Sequence, residues 1–521
     1  MKSAPSLSTD SWAKKIWPVE KSELKKIVPL LLLKFLVSMI YAVLTVMKEP
    51  LLVTVKDSGP ETIPVIKAWV VFPLSILCAL AYSKLSNHFK RSTLFYGIIA
   101  FFLAITLLYG FVLYPHADFF SPTRSADWLK AHLGARHNHW IAIYRYWMHT
   151  LFFATAELWA QVVILTLYWS FANHIFRIKE AKRTYTLFIS AGDLGTIFAP
   201  LLISYYTKRY QGLSFTFTVQ TLVSFVVLFG VIILVCYWWM QRYVLTDPRY
   251  YNPATNKASL NQKTKLSLVK SIKHIFASKY LLAIAATVVS IALTVNIVEV
   301  TWKKHLKLLC PDPASYQAFM AKQTFWVGIF SLITALFLGN NLMRRFGWRF
   351  SAQIAPIAIG TTSCLFFLLC IFKHRLDPLA SWLHVTPLFM IVMFGAFQAI
   401  VNKVTKYSFF DATKEIVYIP LDQESKIKGK AAIEMVGSRF GKSSSSWIQL
   451  IVIEMIGTGS ILFASPYLLP VTLLVSTGWI YCVKYLHREL TAKERALAEQ
   501  ESELKPATQA NVLTPAEENP A

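Results

Sequence analysis

His149 follows Arg145 by four residues and Glu157 follows His149 by eight, in a stretch that is otherwise apolar. That spacing sets all three on one face of a single helix. A cation, an imidazole and a carboxylate along one stripe can hold a charged ligand, pair with one another, or pass a proton. Charges are expensive in an apolar run, so they face a cavity or a partner. The set favours a polar cavity over a purely structural network, although His149 taken alone reads as a packed or hydrogen-bonded histidine. Lys34 pairs with an acid on a neighbouring helix or faces the same cavity. Lys67 lies near the end of its apolar run and is read as snorkelling. Glu299, Asp193 and Glu454 sit in three further apolar runs, where each can hold a basic residue in place or take a proton; Asp193 and His149 are the candidates for proton coupling.

The segment Gly437-Ser438-Arg439-Phe440-Gly441-Lys442-Ser443 is one residue short of the phosphate-loop pattern, and no strand precedes it. An NTPase fold is therefore excluded. Backbone N–H groups at a helix start beside Lys442 still make an anion site. The plainer alternative is a serine-rich helix entry.

The elements that must position these groups are apolar helices. A bilayer core of about 30 Å takes roughly 20 apolar residues to cross. The predicted spans are 27–47, 63–83, 93–114, 141–173, 185–206, 215–240, 279–301, 323–341, 351–372, 385–402, 443–464 and 466–486, the last two separated by a turn at Ser465-Pro466. The hydrophobic fraction is 55% and the mean hydropathy +0.46, too apolar for a soluble chain of 521 residues. With the N-terminus inside, 37 of the 53 Lys and Arg fall on inner segments and 12 on outer loops. That asymmetry places both termini in the cytoplasm. The fold expected is all-α, twelve transmembrane helices in two six-helix pseudo-symmetric bundles, major-facilitator-like. The parts are a cytoplasmic N-terminal segment 1–26, bundles 27–240 and 279–486, a cytoplasmic linker 241–278, and a tail 487–521 expected to be disordered after a short helical start.

The net charge of +25 has two readings. One is the inner-loop bias with attraction to anionic lipid; the other is an anionic substrate. The basic residues are spread over many short loops, which argues against nucleic-acid binding. The six cysteines show no CxxC and no His/Cys metal spacing, so they read as small apolar fillers. Residues 1–26 lack the apolar core of a signal peptide and do not resemble a transit peptide, which points to a bacterial inner membrane rather than a plastid.

Several blocks together resemble the ATP/ADP translocase family, the nucleotide transporters of plastids and obligate intracellular bacteria. They are Glu157-Leu158-Trp159, Trp169-Ser170-Phe171-Ala172-Asn173, Glu180-Ala181-Lys182-Arg183, the run 245–253, Val298-Glu299-Val300-Thr301-Trp302-Lys303, the run 418–424, and Gly429-Lys430-Ala431-Ala432-Ile433. The resemblance extends from about Trp17 to Leu486. It implies that Lys48, Glu157, Glu299 and Lys442 are the critical charged residues, with Lys428 and Lys430 as weaker choices for the last. Lysines would neutralise phosphate and glutamates would hold them poised until substrate replaces the pair. With Arg145, these form the expected substrate site.

The chain departs from the family pattern near that site. Lys48-Glu49-Pro50 replaces Lys-Asp-Thr, Ala160-Gln161 follows Glu-Leu-Trp, an acid stands at Asp193, and four serines follow Lys442. These departures suggest a divergent paralogue. The resemblance implies nucleotide transport by alternating access, with ATP/ADP exchange leading and proton-coupled import of other nucleotides or NAD transport as alternatives. No enzymatic step and no cofactor are expected; the nucleotide and the bilayer are the partners of an expected monomer. Trp159, Tyr168 and Trp302 are the aromatics considered for stacking on the base.

Overall fold

The computed structural model describes residues 19, 23–176, 178–210, 212–247, 250, 275–337, 339–421 and 433–510. Among them every regular element is helical. This is what an apolar environment dictates: with no water to bond the backbone, each N–H and C=O must be satisfied within its own segment. The helices are α1 (Leu24–Val53), α2 (Thr62–His88), α3 (Arg91–Leu113), α4 (Thr123–Leu133), α5 (Asn138–Arg145), α6 (Trp147–Ile175) and α7 (Ile178–Arg209). They continue with α8 (Phe215–Tyr243), α9 (Lys279–Leu309), α10 (Pro313–Phe337), α11 (Gly347–Ile371), α12 (Pro387–Val417), α13 (Ser438–Ile456) and α14 (Ser465–Ala510).

Among the described residues, ten helices are long and apolar enough to cross a membrane. The expected twelve are therefore not established by length and composition. Helices α10 and α13 occupy the positions of the other two, and α13 carries Arg439, Lys442 and four consecutive serines, which lower its hydropathy.

Three boundaries differ from the sequence reading. The fourth span does not run unbroken from 141. Tyr146 takes φ −108° and ψ 44°, which separates α5 from α6 and puts Arg145 on a different helix from His149 and Glu157. The break between the last two spans is not at Ser465-Pro466. Helix α13 ends at Gly457, a left-handed cap with φ 75°, and Ser465-Pro466 begins α14. That last helix continues to Ala510, well past the short start expected for the tail. Most of the linker, and both Lys428 and Lys430, lie outside the described residues.

In the N-terminal half α1 is central, packed against α6, α7 and α8; in the C-terminal half α9 holds the same place against α11, α12, α13 and α14. In its most apolar window α1 is 72% buried against 33% for α8, so α1 lines the interior while α8 faces lipid. The halves meet where α7 packs on α10 and α2 on α13. Glycines set two of the closest approaches. A Cβ on Gly195 would lie 2.5 Å from the Phe35 carbonyl oxygen, which locks α7 onto α1; one on Gly441 would lie 2.9 Å from the Val289 carbonyl oxygen, which presses α13 onto α9 just before Lys442.

At one end of the bundle the halves are tied by polar contacts. Glu61 binds Lys304 Nζ at 2.7 Å and accepts from the Ile461 N–H and the Ser460 hydroxyl, each at 3.2 Å. Lys307 donates to the Ser58 carbonyl, and Arg136 Nε to Glu454 Oε2 at 2.8 Å.

Candidate functional site

The site is a chain of ions at the seam between the halves, with Lys48, Glu49 and Lys303 buried and Glu157, Lys67 and Glu299 partly exposed. Near the end of α1, Pro50 removes one bond of the helical ladder beside Lys48 and Glu49. Lys48 pairs with Glu157 on α6, and its ammonium also lies 4.7 Å from the centre of the Phe153 ring. Glu49 accepts from Lys303 of α9 at 2.6 Å. Lys303 also binds Glu299 Oε1, one helical turn earlier. The other oxygen of Glu299 accepts from Lys67 of α2 at 3.1 Å, and Lys67 donates as well to Asn296 Oδ1 at 2.9 Å. Lys67 sits in the π-helical turn Ile66–Val71, a widened turn of the kind that often re-aims a side chain at a functional position.

A small cleft opens beside this chain. It is lined by Lys67, Val71, Phe72, Glu157, Arg439, Lys442 and Ser443. Among the described residues, neither Arg439 nor Lys442 has an ion-pair partner within 4.0 Å. The neighbourhood thus holds five cations (Lys48, Lys67, Lys303, Arg439, Lys442) against three carboxylates (Glu49, Glu157, Glu299). Buried charge needs compensation, and the positive excess fits an anion with several negative oxygens.

The expected residues are distributed as follows. Lys48, Glu157, Glu299 and Lys442 converge here. Arg145 does not: beyond the break at Tyr146 it pairs with Asp127 and, at 3.3 Å, with Asp57. The Lys130 hydrogen bond to Asp57 holds that carboxyl below its usual range. His149 is also elsewhere, buried among Tyr109, Tyr114 and Tyr146, with Nδ1 2.8 Å from the Tyr109 hydroxyl. Asp193 lies where α7 crosses α1, beside Lys34, whose ammonium stands 5.4 Å from the Tyr168 ring centre. Glu454 binds Arg136 and faces His139 Nε2 at 3.5 Å; burial pushes the His139 imidazole below its ordinary value.

The aromatics considered for the base are committed to the core. Trp159 donates to the Val37 carbonyl, Tyr168 to that of Leu30 and Trp302 to that of Val392, and none is more than 2% exposed. Conversely, Lys67, Lys303, Arg439 and Glu49 were not among the expected site residues. Lys67, expected to snorkel, instead directs its ammonium to Asn296 and Glu299 of α9. The Glu299–Lys303 spacing of four was the one local signal available for Lys303.

The profile of the TLC ATP/ADP transporter family matches residues 3–490. The chain belongs to that family. An "ADP,ATP carrier protein 1" of Chlamydia muridarum is 40% identical over 95% of this chain and 93% of the relative. A chloroplastic "ADP,ATP carrier protein 1" of Arabidopsis thaliana is 36% identical over 96% and 79%, and one of Rickettsia prowazekii 34% over 91% and 95%. Among solved structures, a bacterial homologue of the iron transporter ferroportin in an inward-facing state aligns with a TM-score of 0.59 at 12% identity, covering 88% of this chain and 99% of that one. A D-xylose-proton symporter aligns with a TM-score of 0.52 at 13% identity, over 88% and 96%. These TLC-family helices therefore form a major-facilitator-type fold, and the protein is a multi-pass membrane transporter.

Proposed function

We propose that the protein exchanges ATP for ADP across a bacterial inner membrane by alternating access, with both termini cytoplasmic and the bundles 27–240 and 279–486 rocking about the charged seam. The observation that carries this reading is the ion chain Glu157–Lys48 and Glu49–Lys303–Glu299–Lys67, which crosses between the halves beside Arg439 and Lys442, neither of them ion-paired among the described residues. A polyphosphate supplies the negative charge that this neighbourhood lacks. An empty carrier keeps its cross-half pairs and resists switching; a loaded one exchanges them for phosphate contacts. That is the physical requirement of a strict antiporter, because a ligand shifts a two-state equilibrium only by its differential affinity. Relatives described as ADP,ATP carriers supply the nucleotide identity. The tied end, with Glu61, Lys304, Arg136 and Glu454, is the outer side in this reading, so the state is closed outward.

A second reading, proton-coupled import, draws on Asp193, which has no ion pair within 4.0 Å among the described residues and stands beside Lys34. Uptake of radiolabelled ATP into cells carrying the protein, preloaded or not with ADP, distinguishes the two. Stimulation by internal ADP without proton movement supports exchange. Uptake without trans-stimulation, accompanied by protons and lost in Asp193→Asn, supports symport.

A further inference from the structure

The cations of the seam differ in what each would leave behind if it moved. Lys48 is the ion-pair partner of Glu157, and Lys303 serves both Glu49 and Glu299. Withdrawing Lys48 leaves Glu157, and withdrawing Lys303 leaves Glu49, with no ion pair within 4.0 Å among the described residues, an unfavourable state for a largely buried carboxylate. Lys67 is different. Glu299 holds it through Oε2 while holding Lys303 through Oε1, so when Lys67 departs Glu299 keeps a hydrogen-bonded cation, which it then shares with Glu49. The other acceptor of Lys67, Asn296, carries no charge. Lys67 comes from the N-terminal half and both acceptors from α9 of the other. The same ammonium lines the cleft with Arg439 and Lys442.

We propose that Lys67 is the transferable cation of the site: a polyphosphate held by Arg439 and Lys442 draws Lys67 from Glu299 and Asn296 onto its far phosphate group, and the loss of that tie releases one half from the other. Lys67 therefore reads chain length. A single phosphate engages Arg439 and Lys442 without displacing Lys67; a di- or triphosphate recruits it. The coupling step rests on the exchange reading, whereas the binding step does not. Competition is built in, since each phosphate contact to Lys67 replaces a protein contact that crosses the halves.

The test uses full-length protein in nanodiscs, titrated calorimetrically with orthophosphate, pyrophosphate and tripolyphosphate. Wild type binds more tightly as the chain lengthens. Lys67→Gln loses about tenfold for tripolyphosphate and little for orthophosphate, the size expected of one charge-assisted contact. Lys67→Arg keeps the preference for long chains. Asn296→Ala removes a competing acceptor and binds tripolyphosphate as tightly as wild type or more so. In vesicles, Lys67→Gln releases preloaded ADP without external nucleotide. Four outcomes overturn the proposal: no chain-length preference in wild type, wild-type affinity in Lys67→Gln, an equal loss for all three anions, or a loss in Asn296→Ala as large as in Lys67→Gln. Release that still requires external nucleotide overturns the coupling step. Graded polyphosphate binding by a wild type that exchanges no nucleotide sinks the exchange reading and leaves the Lys67 assignment standing.

Discussion

Lys303 of α9 donates to Glu49 of α1 at 2.6 Å, across the seam between the halves, and neither side chain is more than 4% exposed. A buried pair of this kind contributes little beyond what apolar packing would, but removing one partner costs about 3–5 kcal/mol because a lone buried charge remains. Lys303→Ala is expected to lower the unfolding temperature in detergent sharply. The Lys303→Met/Glu49→Gln double variant is expected to recover most of that loss while transport stays impaired. Equal destabilisation of single and double variants would show that the site tolerates a lone carboxylate and that Lys303 acts through packing alone.

Lys442 lines the cleft and has no ion-pair partner among the described residues. Its replacement by alanine leaves no partner stranded, so the fold should be spared and the loss confined to ligand binding. Lys442→Ala is expected to reduce nucleotide uptake by roughly tenfold or more, the value of a charge-assisted phosphate contact. Lys90→Arg, in an exposed loop, is expected to leave uptake unchanged. Kinetics of ATP uptake at matched surface expression make the comparison; similar effects of the two substitutions would misplace the phosphate site.

The divide between what was legible and what was not follows sequence separation. The helical class could be read from apolar runs, because hydropathy and segment length are local properties. Lys48, Glu157, Glu299 and Lys442 emerged from motif resemblance, and the fold brings them together. Lys67 was misread because its acceptors lie 229 and 232 positions away, and nothing near Lys67 announces them. Arg145 was wrongly aligned with His149 and Glu157 because the break at Tyr146 has no proline or glycine to mark it. The three candidate aromatics carry polar handles suited to a ligand, but those handles bond to carbonyls of other helices, a fact set by packing.

Glu61, 3% exposed, gathers Lys304, Ser460 and the Ile461 N–H at the tied end. A single carboxylate thus holds a loop of one half to two elements of the other. Glu61→Gln keeps the shape and loses the charge, so it should weaken this closure without unfolding the chain. In a background with the native cysteines replaced, a cysteine at Thr458 should be modified faster by a membrane-impermeant maleimide when Glu61→Gln is present. The Glu61→Lys/Lys304→Glu exchange should return the rate toward that of the parent. Unchanged labelling in Glu61→Gln would mean that the apolar contacts between α2 and α13 suffice to keep this end shut.

Asp57 receives a hydrogen bond from Lys130 at 2.7 Å and lies beside Arg145, and the first of these contacts does most to hold its carboxyl below the ordinary value of 3.8. A carboxyl whose folded value is depressed binds fewer protons folded than unfolded through that range. Its contribution to stability is therefore complete above the ordinary value and disappears as pH falls through the folded one. Lys130→Met removes the main cause of the depression. The gap in unfolding temperature between wild type and Lys130→Met is expected to be clear near about pH 6 and to narrow as pH falls below 3.8 and through the depressed folded value. The pair is partly exposed, so the gap should be small and should shrink in high salt. A gap that widens on acidification would reverse the sign and show that Lys130 stabilises this end through contacts other than Asp57.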